Sequence, residues 1–427
     1  MFIPELYNLF LQFPSIQTDS RKIKKGDIFF ALKGDNFNGN AFAAKALEDG
    51  AAYAVIDESQ YATDDRYILT NDVLTTLQLL SHHHRLQLDI PVIAITGSNG
   101  KTTTKELLIA VLSAKYKTYA TEGNLNNHIG VPLTLLKIKQ DAEIAIIEMG
   151  ANHIGEIASY CKYANPDFGL INNVGKAHLE GFGSLEGVKK AKGELYDYIR
   201  KFDGTIFRNA DLDYLEKMSQ GIQKQITYGT SNAQVIGRAI GDDTMLKVVI
   251  LTSGMEVQIN TQLVGAYNLP NVLAAVAVGH YFNVDIDTIK KALENYTPSN
   301  SRSQLIEKGS NKIILDAYNA NPTSMKLALE NMASLQAENK WLLLGAMKEM
   351  GEESVAEHQS LVDLAIQLGF QNVILTGKEF EATKHNYIWF ATSSEVKDYL
   401  SENKVEHATI LIKGSRGSKM EVALEAF

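Results

Sequence analysis

The sequence predicts an α/β protein of three domains, and three observations support this prediction. A chain of 427 residues is longer than one hydrophobic core usually organises. Short apolar segments of strand length alternate with helical segments along most of the chain, which is typical of parallel sheets covered by helices. A glycine-rich segment at residues 96–106 follows one such strand and precedes a helix, which is the context of a phosphate-binding loop.

The composition excludes several classes of protein. With 45% hydrophobic and 21% charged residues, the chain is neither disordered nor fibrous. Its net charge of −9 disfavours a nucleic-acid partner, which would require a basic face. The single cysteine, Cys161, excludes an intramolecular disulfide and suits a reducing compartment. The N-terminus lacks the pattern of a secretory signal, and no apolar run approaches the ~18 residues of a membrane span. We therefore expect a cytoplasmic protein that neither crosses a membrane nor binds nucleic acid.

Residues 1–86 are predicted to form the first domain. Apolar segments at residues 27–32 and 51–57 predict strands, and residues 41–50 between them predict a helix that ends at a glycine. Three adjacent histidines, His82, His83 and His84, cannot share one helical face. A solvated helix end is therefore favoured over a metal site.

Residues 87–297 are predicted to form the central domain, and residues 298–427 the C-terminal domain. Buried parallel strands are expected at residues 92–96, 144–148, 168–174 and 205–207 in the former, and at residues 312–316, 341–345, 372–377 and 409–414 in the latter. Helices are expected at residues 104–116 and 354–368. The Pro, Ser and Asn content of residues 295–303 predicts a hinge between the two domains.

The phosphate-loop segment departs from the general pattern, because Ile95 stands where the first glycine is expected. The flanking strand and helix still predict a nucleotide site. Gly97 and Gly100 allow successive N–H groups to face one anion, Lys101 adds a positive charge, and the Thr102 hydroxyl is suited to Mg²⁺. A glycine turn without a ligand is disfavoured, since all these features coincide. The nucleotide-binding residues are predicted to be Gly97, Ser98, Asn99, Gly100, Lys101, Thr102 and Thr103. Kinases, switches and ligases all use such loops, so the loop alone leaves the reaction open.

The shortened loop spacing resembles that of the Mur ligase superfamily, and further segments in the same order resemble it too. They are TDSRKIKKGDIFFALKG (18–34), EGNLNNHIGVPLTLL (122–136), EMGANHIGEI (148–157), NNVGKAHLEGFGSLEGVKKAKGELY (172–196), GAYNLPNVLAA (265–275), LDAYNANPTSM (315–325) and LIKGSRGSKME (411–421). The resemblance extends over the whole chain. It implies an N-terminal uridine-nucleotide-binding α/β domain, a central P-loop ATPase-like domain with helices flanking a parallel sheet, and a C-terminal Rossmann-like domain.

The resemblance implies ATP-dependent amide-bond formation through an acyl phosphate, with Mg²⁺ as cofactor. Within the family, GNLNNHIGVP, EMGANHIGEI and NANPTSM are similar to the members that add D-alanyl-D-alanine (D-Ala-D-Ala) to UDP-N-acetylmuramoyl-tripeptide (UDP-MurNAc-tripeptide) in peptidoglycan synthesis. The alternatives within the superfamily are a tripeptide synthetase and a folylpolyglutamate synthetase. A P-loop switch that forms no bond is disfavoured, because the chain has no guanine-reading Asn-Lys-x-Asp motif. We expect a monomer.

The resemblance also implies catalytic roles for Lys101, Glu148, His178 and Lys192. Thr102 and Glu148 would bind Mg²⁺, His178 would bind a second Mg²⁺, and Lys192 would act as a carbamate beside the metal. From the residues alone, Glu148 could instead be an exposed carboxylate at a strand end. Lys192 could be a solvated helix lysine, and His178 a structural loop residue.

Further site residues are implied by the same resemblance. Asn268 and Asn271 correspond to the residues that contact adenine, and Asp316 corresponds to the ribose contact. Arg302 corresponds to the arginine that binds the ATP phosphates. Helix-start asparagines remain the alternative for the first two. Substrate contacts are expected at Ser20, Arg21, Lys413, Ser415 and Arg416. Two sites depart from the family pattern: Ala346 stands where aspartate is usual, and residues 37–40 replace the commoner Asp-Gly-His.

Overall fold

The computed structural model describes residues 2–241, 244–252, 254–299 and 301–427. In this part of the chain three large sheets follow one another along the sequence, each with helices packed against it. The predicted α/β class is confirmed. Among the described residues, no helix combines the length and hydrophobicity that a membrane span requires.

The N-terminal sheet is parallel, with strand order β1-β2-β5-β6, and a small hairpin of β3 and β4 lies beside it. Asp72 begins the last helix of this region by accepting a hydrogen bond from Thr75 N. The elements are β1 (Ile16–Gln17), β2 (Ile28–Phe30), β3 (Lys33–Gly34), β4 (Phe37–Asn38), β5 (Tyr53–Ile56), β6 (Tyr67–Leu69), α1 (Ile3–Gln12), α2 (Ala43–Glu48) and α3 (Val73–Arg85).

The end of α3 is buried, so the prediction of a solvated histidine run is wrong for His84. The Tyr7 hydroxyl lies 3.1 Å from His84 Nδ1, and the Ile138 carbonyl oxygen lies 2.7 Å from its Nε2. Arg85 is also buried and donates to the carbonyl oxygens of Ala164 and Asn165 at 3.1 Å each. These bonds attach the N-terminal sheet to the central one, a tertiary contact that helical periodicity does not reveal.

The central sheet has nine strands in the described residues, in the order β15-β14-β13-β12-β11-β10-β7-β9-β8. Strands β7 to β12 are parallel to their neighbours, and the predicted strands of this region are confirmed. The strands are β7 (Val92–Thr96), β8 (Thr118–Ala120), β9 (Ile144–Glu148), β10 (Phe168–Ile171), β11 (Thr205–Asn209), β12 (Lys224–Gly229), β13 (Val235–Ile240), β14 (Met245–Thr252) and β15 (Met255–Val264). The helices are α4 (Lys101–Leu112), α5 (Gly130–Leu136), α6 (Glu156–Ala164), α7 (Leu179–Phe182), α8 (Leu185–Lys201), α9 (Asp213–Met218), α10 (Leu269–Tyr281) and α11 (Ile286–Asn295).

Strands β13 to β15 form an antiparallel extension that the sequence analysis did not predict. In β13 and β15 the exposed and buried residues are interspersed, because one face of the extension meets solvent, whereas β14 has an apolar run at residues 248–251. A search for continuous apolar runs finds strands buried on both faces and passes over strands of this kind.

The C-terminal sheet has the order β16-β17-β21-β18-β19-β20, and only β16 is antiparallel to its neighbour. Its four predicted strands are confirmed, whereas β16 and β20 were not predicted. The elements are β16 (Gln304–Lys308), β17 (Asn311–Asp316), β18 (Lys340–Gly345), β19 (Asn372–Thr376), β20 (Ile388–Phe390), β21 (Thr409–Lys413), α12 (Pro322–Ser334), α13 (Ser354–Gln367), α14 (Lys378–Glu381) and α15 (Ser393–Glu402). In the expected hinge, Asn300 lies outside the described residues.

Candidate functional site

A polar cleft of about 520 Å³ lies between the central sheet and the C-terminal domain. The carboxyl ends of parallel strands form one wall, which is where ligands bind in open α/β sheets. Most of the predicted nucleotide site lines this cleft: Ser98, Asn99, Gly100, Lys101, Thr102, Thr103, Glu148, His178, Asn268, Asn271, Arg302, Asp316 and Lys413.

The phosphate loop connects the end of β7 to the start of α4. Gly97 and Gly100 have φ values of +148° and +79°. A Cβ atom on Gly100 would lie only 2.7 Å from Asn271 Oδ1, so a side chain would have to displace that amide. The loop therefore brings its backbone close to the neighbouring segments and leaves the first N–H groups of α4 to face the cleft.

Lys101 is turned back onto its own loop, where Nζ donates to the Gly97 carbonyl oxygen at 2.7 Å. Burial lowers the pKa of Lys101, while the nearby Glu148 carboxylate acts in the opposite direction. A bound anion would compensate the buried charge more fully than one carbonyl oxygen does.

Glu148 ends β9 and is only 1% exposed, so the alternative of an exposed carboxylate is wrong. Its Oε1 accepts hydrogen bonds from Thr102 Oγ1 (3.1 Å) and Asn126 Nδ2 (2.8 Å). Its Oε2 is buried and has no hydrogen-bond partner in the described structure. A buried carboxylate with one free oxygen beside a phosphate loop suits a hard cation. Asn126 was not singled out in the sequence, although it lies within the segment 122–136.

Lys192 projects from α8 into a buried environment and is 1% exposed, so the alternative of a solvated lysine is wrong. Its Nζ lies 3.4 Å from the Ala151 carbonyl oxygen and 5.1 Å from the centroid of the Phe182 ring. Desolvation, followed by the charge of Lys101, lowers the pKa of Lys192 to about 7. A large fraction of this amine is therefore uncharged at neutral pH.

His178 precedes α7, and its Nδ1 contacts the carboxylate of Glu349 of the C-terminal domain. The hydrogen bond from this imidazole holds the pKa of Glu349 below its ordinary value. Glu349 was missed in the sequence because only the fold places it opposite His178. Within the described residues, no cluster of three or more His, Cys, Asp or Glu side chains is arranged to bind a metal ion.

Asn268 and Asn271 are joined to each other and to the phosphate-loop helix. Asn271 Nδ2 donates to Asn268 Oδ1 (2.8 Å), while Asn271 Oδ1 accepts from Thr104 Oγ1 (3.1 Å). Asn268 stands at the start of α10, but its side chain donates to the Val264 carbonyl oxygen and does not cap the helix. The pair therefore presents a rigid amide surface to the cleft.

Arg302 and Asp316 lie on the opposite wall. The Arg302 guanidinium carbon is 3.6 Å from the centroid of the Tyr318 ring, a close cation–π contact. Asp316 accepts a hydrogen bond from Ser303 N (3.2 Å) and forms an ion pair with the buried Lys413. Tyr318 was not predicted, although it lies within the segment 315–325.

The remaining predicted substrate residues lie outside the cleft lining. Ser20 and Arg21 belong to a short turn after β1, where Arg21 is exposed and pairs with Asp19. Arg416 is exposed and pairs with Glu421. Ser415 is buried, and its Oγ donates to the Ala346 carbonyl oxygen at 2.5 Å.

The two departures from the family pattern are also placed. Ala346 is buried, and a Cβ atom on Gly377 would lie 2.8 Å from the Ala346 Cβ. Asn40, in the segment 37–40, is fully buried and binds Asp57 twice, through Nδ2 to the Asp57 carboxylate (2.8 Å) and through Oδ1 to the Asp57 N–H (3.0 Å).

Polar contacts cross the cleft between the central and C-terminal domains. Asn321 Nδ2 donates to Asn99 Oδ1 of the phosphate loop at 2.7 Å. The hydroxyls of Tyr267 and Ser303 lie 3.0 Å apart, and Lys176 forms an ion pair with Glu357. The two walls of the cleft are thus in direct contact around the phosphate loop.

Known proteins and family models match this chain over nearly its whole length. The family model described as "Mur ligase middle domain" matches residues 95–279. The models "Mur ligase, glutamate ligase domain" and "Mur ligase family, catalytic domain" match residues 301–416 and 12–90. The chain is 34% identical over 421 residues to the UDP-N-acetylmuramoyl-tripeptide--D-alanyl-D-alanine ligase of Bacillus subtilis, covering 95% of this chain and 91% of the relative. It is 35% identical over 440 residues to the ligase of the same name from Escherichia coli, with 99% and 95% covered. The crystal structure of the MurF ligase from Thermotoga maritima in complex with ADP superposes with a TM-score of 0.88 at 27% identity, covering 98% of this chain and 97% of that one.

Proposed function

Because this chain belongs to the Mur ligase family and is an ATP-dependent ligase, we propose that it adds D-Ala-D-Ala to UDP-MurNAc-tripeptide. The product is the UDP-MurNAc-pentapeptide of peptidoglycan synthesis. The main support is that relatives named for this reaction match the chain almost from end to end. The cleft adds physical support, since its lining combines the phosphate loop, the buried Glu148 carboxylate and Lys101, whose pKa is lowered by burial.

The reaction begins with a problem of charge, because the tripeptide carboxylate must approach the terminal phosphate of ATP. In the proposed route the carboxylate oxygen attacks that phosphorus and ADP leaves. The dipeptide amine then attacks the acyl carbon of the resulting acyl phosphate, and inorganic phosphate and a proton are released. The loop N–H groups and Lys101 lie where they can stabilise the phosphate charge.

Mg²⁺ fits the free oxygen of Glu148. Thr102, already hydrogen-bonded to this carboxylate, and Glu148 would hold the ion between the phosphate loop and β9. When bound, Mg²⁺ supplies neutralisation of the phosphate charge. Glu349 occupies Nδ1 of His178, which leaves Nε2 as the nitrogen that would bind a second ion.

Carbamylation fits the surroundings of Lys192. An uncharged amine adds CO₂ and loses one proton, which leaves an anionic carbamate at a position where a protonated lysine would carry a positive charge. The pKa near 7 makes the uncharged amine available, and the sparse hydrogen bonding of Nζ leaves room for new partners. The carbamate would carry a negative charge in place of an ammonium group, which repels metal ions.

The other predicted contacts complete the proposal. Asn268 and Asn271 would bind adenine, Asp316 the ribose and Arg302 the phosphates, since all four line the cleft. Ser20 and Arg21 would contact the uridine nucleotide in a domain comprising residues 1–86. Lys413, Ser415 and Arg416, in the domain comprising residues 298–427, would contact the dipeptide or the phosphates. We propose a monomer located in the cytoplasm, with the central domain spanning residues 87–297.

Phosphate release from ATP tests the function. Release should require both UDP-MurNAc-tripeptide and D-Ala-D-Ala, and mass spectrometry should detect the UDP-MurNAc-pentapeptide. L-Ala-L-Ala serves as the matched control and should support little release. Release that is indifferent to the dipeptide, or that occurs only with a single L-amino acid, would overturn the assignment.

A further inference from the structure

The Asn99 side chain combines two features that no active-site role above explains. Its Oδ1 accepts the hydrogen bond from Asn321 of the C-terminal domain. Its Nδ2 is buried and has no acceptor among the described residues. A buried amide donor without an acceptor is costly unless a ligand supplies one. Asn99 lines the cleft and belongs to the phosphate loop, so an anion such as a phosphate oxygen would supply the missing acceptor.

The orientation of both amides follows from a backbone donor. Asn321 begins α12, where its Oδ1 accepts from the Ser324 N–H at 2.9 Å. A backbone N–H can only donate, so this end of Asn321 must be the oxygen, and the other end must be the NH₂ group. Asn99 must then offer its oxygen to Asn321. The Asn99 NH₂ group is consequently directed away from the C-terminal domain.

The rest of Asn99 is fixed by a separate contact. Asn99 N donates to Asn173 Oδ1 (2.9 Å), and the Asn99 carbonyl oxygen accepts from Asn173 Nδ2 (3.1 Å). These bonds hold the backbone of Asn99 within the central domain but leave its side-chain amide free to rotate. Among the described residues, Asn321 of the C-terminal domain is the hydrogen-bond partner that determines which end of that amide faces the cleft.

We propose that Asn321 is a positioning residue that sets the Asn99 amide so that Nδ2 donates to the phosphates of bound ATP. The phosphate loop acquires this donor only when the C-terminal domain is docked. A single side chain, Asn99, thereby makes phosphate binding depend on the docking of the C-terminal domain. The catalytic importance of Asn321 rests on the proposed ligase function, whereas its effect on nucleotide binding does not.

Two substitutions separate this role from the capping of α12. Serine and aspartate both cap helices well, so Asn321→Ser and Asn321→Asp should keep the melting temperature near that of the wild type. Asn321→Ser loses the bond to Asn99 and should weaken binding of the ATP analogue AMP-PNP about tenfold. Asn321→Asp offers only acceptors, so Asn99 should rotate and turn its oxygen toward the phosphates. The loss in this variant should be larger than in Asn321→Ser.

A double-mutant cycle with Asn99→Ala gives the decisive measurement, by calorimetric titration of AMP-PNP and by the turnover number of phosphate release. If Asn321 acts through Asn99, Asn321→Ser should have no further effect in the Asn99→Ala background. Losses that multiply in the double variant, or wild-type affinity in Asn321→Asp, would overturn the proposal. The titration does not depend on the ligation substrates. A wild-type protein that binds AMP-PNP but does not ligate D-Ala-D-Ala would therefore count against the proposed function alone.

Discussion

Replacing Lys192 by methionine removes the amine while keeping a side chain of similar length in the buried site on α8. The pKa of Lys192 lies near 7, against an ordinary value of 10.5, because the amine is desolvated and near Lys101. Lowering the pKa from 10.5 to about 7 corresponds to about 5 kcal/mol against the charged form. A substantial fraction of the Lys192 amines is therefore uncharged at pH 7, whereas an ordinary lysine is almost wholly protonated.

Lys192→Met is expected to lower the turnover number at least ~100-fold, because the carbamate proposed at this position cannot form without the amine. Its melting temperature should equal or exceed that of the wild type, since the buried amine makes only one long hydrogen bond. Lys190→Met, at an exposed position on the same helix, is the matched control and should change stability by less than about 0.5 kcal/mol. Phosphate release and thermal unfolding measure both effects.

Three results would refute this account of Lys192. Wild-type turnover in Lys192→Met would show that the amine is not needed. A large fall in the melting temperature would show that Lys192 stabilises the folded protein. With ¹³C-labelled bicarbonate, the wild type should give a carbamate carbon signal by NMR that Lys192→Met lacks. Its absence from the wild type would exclude the carbamate.

Three other perturbations have defined outcomes. Glu148→Gln should raise the Mg²⁺ concentration needed for half-maximal phosphate release at least ~10-fold, because the neutral amide is a weaker ligand; an unchanged requirement would contradict the metal role. Tyr318→Leu should raise the KM for ATP about fivefold by releasing Arg302, whereas Tyr318→Phe should retain wild-type kinetics. Equal effects of the two substitutions would show that the aromatic ring does not position Arg302. Burial lowers the pKa of His358, so the unfolded chain binds more protons below its own pKa near 6.5. The free energy of unfolding should therefore fall as the pH drops from about 6.5 through the folded-state pKa. Urea unfolding at pH 7 and pH 5 measures this pH dependence, which should be smaller in His358→Gln. An unchanged pH dependence in that variant would exclude His358 as its source.

The sequence was sufficient for the parts of the fold that are dictated locally. Continuous apolar runs identified β7, β9, β10 and β11, and the glycine spacing located the loop before α4. Strands β13 and β15 escaped prediction because one face meets solvent and their mixed pattern resembles that of loops, whereas the apolar run of β14 at residues 248–251 was overlooked.

The candidate site was predictable where one segment carries the chemistry, and not where two distant segments meet. Glu148 and Lys192 were identified from their motifs, but their burial became evident only in the fold. Glu349 and Asn321 were missed, because their partners lie 171 and 222 residues away in sequence. No local pattern encodes such a pairing, which depends on how the domains pack.

The buried end of α3 joins the N-terminal sheet firmly to the central one, and this contact differs from the contact of the C-terminal domain. His84 and Arg85 anchor the N-terminal sheet through desolvated hydrogen bonds, which are costly to break without replacement. The C-terminal domain meets the central domain at the cleft through polar pairs, Asn321–Asn99 and Tyr267–Ser303. The N-terminal and central sheets should therefore move together as one rigid unit. Opening of the cleft should then be a movement of the C-terminal domain relative to that unit. If residues 1–86 bind the uridine nucleotide as proposed, this end of the product should stay bound while its peptide end is released first.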